Sequence, residues 1–140
     1  MNVHFDKIQS EIVQQLQQAK FIVWIAVAWF TDQHLFNQLI QLHKRGVNIQ
    51  IVITDDRINT GIPFEKWFET YRVKQTGPND SLMHNKFCII DLKTVLHGSY
   101  NWTNRAQYNN ETMAIVSGRQ NAEKFAEQFM ELKRIAVGAK

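Results

Sequence analysis

One cysteine in 140 residues rules out any disulfide within the chain, so packing alone must hold the fold. Cys88 lies between Phe87 and Ile89, a core position, and a single thiol fits a reducing compartment. The start, Met-Asn-Val-His-Phe-Asp, lacks the basic residues, apolar run and small-residue cleavage site of a secretory signal, and a cytoplasmic location is the expectation. The most apolar segment, Phe21 to Phe30, is about half of the roughly 20 residues a spanning helix needs, so no membrane anchor is expected. Basic runs are missing too: 16 Lys and Arg against 13 Asp and Glu give a net charge of +3, but the cations are scattered. A polyanionic partner is favoured only mildly. One cysteine and dispersed histidines do not supply clustered metal ligands, so neither a metal nor another cofactor is implied. Repeats, low-complexity stretches and linkers are absent, which predicts a single domain over residues 1–140, large enough to bury about two-thirds of its unfolded surface.

What is present alternates between two periodicities. Phe5, Ile8, Ile12, Leu16 and Ala19 recur at spacings of three and four, with Gln9, Gln14, Gln15, Gln17 and Gln18 on the other face, and predict an amphipathic helix. Phe21 to Trp29 is a continuous apolar run rich in β-branched and aromatic residues, as in a strand covered on both faces. Thr31 caps a predicted helix carrying Leu35, Phe36, Leu39, Ile40 and Leu42, and Gly46 stops it in the left-handed conformation. Val47 to Ile53 is the next strand, and Asp55 to Gly61 forms a polar loop at its carboxyl end, the edge where open α/β sheets bind ligands. After Pro63, the positions of Phe64, Trp67, Phe68 and Tyr71 predict a short aromatic-faced helix, and Gly77 to Asp80 a turn. Phe87 to Ile90, Val95 to Leu96 and Met113 to Val116 are apolar segments joined by short connections, which predicts antiparallel pairing in that half. A final helix, roughly Arg119 to Val137, carries Ala122, Phe125, Phe129, Leu132 and Ile135 on one stripe. The fold class is therefore α/β, with a mixed, mainly parallel sheet between helices.

Two polar clusters bracket the strand at Phe87: Met83-His-Asn-Lys-Phe-Cys-Ile-Ile-Asp91, then Gly98-Ser99-Tyr100-Asn101. A lone His-x-Lys is more often an exposed strand face and a lone Gly-Ser a turn, but six residue types at fixed gaps are hard to reach by accident. The order His84, Lys86, Asp91, Gly98, Ser99, Asn101 resembles the HKD motif of the phospholipase D superfamily, whose members cleave or exchange phosphodiester bonds through a histidine nucleophile. Side chains two apart on a strand share a face, so His84 and Lys86 are expected to point together. The lysine then holds a non-bridging oxygen while the imidazole attacks phosphorus, and Ser99 and Asn101 add neutral donors. Asp91 lies an odd number of positions from Lys86 and is expected on the other face. The resemblance gives Asp91, like Gly98, a structural role. It also implies that Glu111, the next carboxylate, accepts a hydrogen bond from the histidine's second nitrogen and fixes its tautomer. His97 is a candidate to line the pocket, and Tyr100 and Trp102 are candidates either to stack on bases or to sit in the core. His4, in an end expected to fray, and His34 and His43, in a helix, carry no assigned chemistry.

The family mechanism needs two histidines of this kind, and this chain has one His-x-Lys. The resemblance therefore implies a homodimer with His84, Lys86, Ser99, Asn101 and Glu111 of both copies lining one cleft, and two coupled imidazole titrations. Small single-motif members resemble nucleases. The expected function is a metal-independent, non-specific endonuclease on DNA, with RNA an open second substrate. The alternatives are a phospholipase D or phosphatidyl-transfer enzyme and a nucleic-acid-binding module without turnover.

Overall fold

The computed structural model describes residues 2–75 and 81–138, so the turn expected at Gly77 to Asp80 lies outside the described residues. Its strands are β1 (Asn2–His4), β2 (Ile22–Val27), β3 (Asn48–Thr54), β4 (Glu69–Val73), β5 (Lys86–Ile90), β6 (Thr94–Gly98) and β7 (Met113–Ser117), and its helices α1 (Ile8–Leu16), α2 (Gln33–Lys44) and α3 (Arg119–Ala136). The seven strands form one sheet in the order β1-β7-β6-β5-β2-β3-β4. Alternation along β2 explains the layering: Val23, Ile25 and Val27 pack with Ile12 and Leu16 of α1 and Leu35 and Leu39 of α2, while Ala26 joins Phe129 and Leu132 of α3 on the opposite face. Phe129 is fully buried and stacks on Trp24 at 5.4 Å between ring centroids, and burying such a side chain stabilises by roughly 1.5–3 kcal/mol.

The sheet is mixed, as expected, but its parallel share is smaller than expected. Parallel ladders join β2 to β3 and β3 to β4, whereas β2–β5, β5–β6, β6–β7 and β7–β1 are antiparallel. The three-residue connection between β5 and β6 permits only antiparallel pairing there. The helix expected from Phe64 to Tyr71 is also replaced. A single 3-10 turn, Phe64–Lys66, ends at Trp67, and Tyr71 sits in β4 opposite Val52. Phe64 meets the rings of Phe30 and Phe36, and Phe68 meets Phe36, so aromatic anchoring produced the helical spacing without a helix. The exposed edge of β3 then takes β4 as a partner.

Three local expectations shift. Residues 2–4 are an edge strand on β7, with His4 opposite Met113. Phe5 stays outside the α1 stripe and is exposed. The cap of α2 is the buried Asp32, one residue after Thr31: its Oδ1 accepts from Leu35 N at 3.1 Å, and its Oδ2 from Gln9 Nε2 at 2.7 Å. Gly46 takes φ 94 after α2, as its position predicts.

Candidate active site

The end of β2, the start of β5, the end of β6 and the start of β7 meet at one edge of the sheet, since Val27 pairs with Lys86, Phe87 with His97 and Gly98 with Met113. Lys86 opens β5 on the face of Cys88 and Ile90, and its side chain is buried. Its Nζ donates to the backbone carbonyl of His84 at 2.8 Å. Burial pulls the ammonium below its usual pKa, and attraction to Glu111 opposes that fall. His84 is exposed and precedes the strand, so the pair is joined by this lysine-to-backbone bond and not by strand alternation alone.

Gly98 ends β6 against the first residues of β7. A Cβ built there would lie 2.0 Å from the carbonyl oxygen of Thr112 and 2.9 Å from its carbon, both backbone atoms that cannot swing away. Gly98→Ala is therefore expected to destabilise the fold by about 3 kcal/mol, read as a lower urea midpoint. A midpoint equal to that of the parent would refute the close approach.

The glycine brings Ser99 beside Glu111. Ser99 Oγ donates to Glu111 Oε1 at 2.6 Å and accepts from Thr112 N at 3.0 Å, so its proton is directed at the carboxylate. Asn109 Nδ2 donates to Glu111 Oε2 at 3.2 Å. The carboxylate's bonds go to Ser99 and Asn109, the expected link from Glu111 to the His84 ring is not formed, and among the described residues that ring has no hydrogen bond. Asn101 is fixed differently. The N–H of Trp29 donates to its Oδ1 at 3.1 Å, which settles the amide orientation and leaves Nδ2 with both hydrogens free. A cavity of about 360 Å³ adjoins it, lined among others by Trp29, Ile58, Asn101, Arg105 and Glu111.

Asp91 lies past β5, at the opposite end of that strand from Lys86, with φ 57. Its carboxylate accepts three backbone N–H groups, from Lys20 at 2.9 Å, Phe21 at 2.7 Å and Ile22 at 3.0 Å.

Three candidates for substrate contact sit elsewhere. His97 faces α3, its ring 5.2 Å from that of Phe125. Trp102 is buried against Phe30 at 5.1 Å, and Tyr100 is buried in the same core, so neither ring offers a face to a base. Their alternation with Ser99 and Asn101 directs them inward. The Tyr100 hydroxyl is buried without a hydrogen-bond partner, and burial raises its pKa.

Sequence reasoning missed two supports. Trp29 orients Asn101 through its backbone, which no side-chain pattern reveals. Asn59, in the polar loop, is fully buried, receives Phe30 N at 2.9 Å and gives Nδ2 to Ala28 O at 2.8 Å and Thr54 O at 2.9 Å, bracing the end of β2. A loop asparagine close to a strand end was the available signal. No three His, Cys, Asp or Glu side chains among the described residues are gathered as metal ligands are, and none of their helices is long and apolar enough to cross a membrane.

Residues 12–133 match the family described as "Cardiolipin synthase, PLD-like domain". The chain is 30% identical over 125 residues to the mitochondrial cardiolipin hydrolase of Chlamydomonas reinhardtii, covering 88% of this chain and 56% of that protein. It is 32% identical over 126 residues to a phospholipase D of Rickettsia typhi, covering 87% and 61%. The chain thus spans about three-fifths of the length of these curated relatives. Among solved structures, NucT from Helicobacter pylori superposes with a TM-score of 0.81 at 19% identity, over 94% of this chain and 93% of that one. Nuc, a phospholipase D family member from Salmonella typhimurium, gives 0.80 at 24% identity, over 93% and 91%. Both share the fold.

Proposed function

The chain belongs to the phospholipase D-like family, and from that premise we propose that it is a metal-independent phosphodiesterase, an endonuclease hydrolysing DNA, with RNA a second substrate, in a homodimeric site. The observation that carries the reading is the arrangement around Asn101. An amide with both hydrogens free borders an open cavity shared with Glu111, in the motif that also places Lys86 against His84. That is a set of donors and one buried cation suited to a phosphate diester.

In this mechanism the His84 imidazole of one protomer attacks phosphorus. A phosphorus–nitrogen bond forms as the bond to the leaving oxygen breaks, and the partner's His84 gives that oxygen a proton. Water then loses a proton to the partner's His84 and attacks phosphorus, releasing the first histidine. Lys86 and Asn101 hold the non-bridging oxygens through both steps. Glu111, held by Ser99 and Asn109, favours the charged form of Lys86, whose burial otherwise opposes it.

Because these groups neutralise the phosphate, cleavage in excess EDTA is expected to stay within about twofold of the rate without chelator. Loss in EDTA that a divalent ion restores would overturn the mechanism. The test of substrate offers plasmid, single-stranded DNA, RNA and phospholipid vesicles to the protein in EDTA. Turnover of nucleic acid supports the proposal, and binding without turnover of any of them refutes it.

The names of the curated relatives favour one second reading. Phospholipase D and cardiolipin hydrolase label proteins that match most of this chain, and a phosphate clamp serves a lipid diester equally well. Vesicle lipid hydrolysed while plasmid stays intact would establish that reading.

A further inference from the structure

A second cavity of about 360 Å³ opens beside the one bordered by Asn101 and Glu111. Ala106 and Asn109 line both, so a group attached to a phosphate held at Asn101 lies within its reach. One wall is the first turn of α1, and the other is the short turn Arg105–Tyr108. Phe5 and Tyr108 line it with 69% and 87% of their surface exposed, so neither ring serves the core.

The polar groups here are mostly neutral. Gln9 gives its amide hydrogen to Asp32, which leaves Oε1 as an acceptor, and Asn109 gives its own to Glu111, which leaves Oδ1. Asp6 and Lys7 offset each other, so the cavity holds no net charge to attract a second phosphate. Two open aromatic faces beside amide acceptors match a flat, neutral ring with hydrogen-bonding edges.

We infer that this cavity is a subsite for one unpaired nucleobase of the substrate strand, stacked on Phe5 and Tyr108 and read along its edge by Gln9 and Asn109. The inference rests on the nucleic-acid reading above and sharpens it. A base held in a duplex cannot enter, so the preferred substrate is single-stranded or locally unstacked.

The test compares kcat/KM for a single-stranded oligonucleotide with that for a strand of the same length made of abasic nucleotides, using the parent and Phe5→Ala/Tyr108→Ala. The parent is expected to favour the base-bearing strand by about tenfold or more, and the double variant to lose that preference. Thermal melting checks that the variant is folded, which the exposure of both rings favours. A ratio unchanged in the folded variant overturns the subsite. Loss of both activities together with a smaller sedimenting species overturns it as well, and assigns the rings to contact between copies. If the parent cleaves lipid vesicles but neither strand, the nuclease reading itself has failed, an outcome distinct from an unchanged ratio.

Discussion

His84→Ala is expected to lower turnover by on the order of ten-thousandfold while leaving the melting temperature within about a degree of the parent. The first half follows from removing a nucleophile and, in a symmetric dimer, its acid–base counterpart at the same time. Lys86 and Asn101 would remain to bind phosphate, so affinity for a non-cleaved strand should change little. The second half follows from exposure: the imidazole has no hydrogen bond among the described residues, and Lys86 bonds to the backbone carbonyl of residue 84, which alanine keeps. Subunit exchange adds the sharper measurement. When equal amounts of parent and variant are mixed, activity per parent subunit is expected to fall to about half as hybrids with one imidazole form. Undiminished activity after full exchange would show that each protomer works alone and would end the shared-site proposal.

Asp91→Ala is expected to act in the opposite way, on stability and not on chemistry. The carboxylate holds three consecutive backbone N–H groups at the entry to β2, and hydrogen bonds to a charged acceptor are among the stronger ones. Two of the three donors are near solvent, so water replaces part of the loss, and the net cost is about 3 kcal/mol. At this chain length that lowers the melting temperature by about 10 °C. Residue 91 also has φ 57, which aspartate and asparagine tolerate better than alanine. Asp91→Asn should therefore recover part of the loss. Well below the transition, the alanine variant should turn over at close to the parental rate, whereas a large deficit in the fully folded variant would show that Asp91 takes part in the chemistry.

The sequence made some features legible and hid others for definite reasons. Long runs with one periodicity were readable: the stripe Ile8, Ile12, Leu16 became the buried face of α1, and the run after Phe21 became a strand covered on both sides. Short aromatic clusters were ambiguous, because spacings of three and four over eight residues suit a helix or a turn anchored in a core, and Phe64 to Tyr71 took the second course. The motif located the clustered side chains but not their partners. Glu111 was picked out by its position and by the resemblance, yet one oxygen goes to Ser99, a partner set by the β6–β7 register that no local pattern encodes, and the other to Asn109, two residues before it. Alternation placed Ser99 and Asn101 together and by the same logic turned Tyr100 and Trp102 into the core. The edge strand at residues 2–4 was invisible because three residues carry no period, and only the open side of β7 gives them a partner.

The position of β2 bears on how the chain is made. It lies between β3, whose residues follow soon after, and β5, whose residues come about sixty positions later in the chain. During synthesis Ile22–Val27 therefore waits with one ladder of amide and carbonyl groups unsatisfied until Lys86–Ile90 has left the ribosome. A nascent chain halted before that point would present a bare apolar edge, open to pairing with other chains and to capture by chaperones.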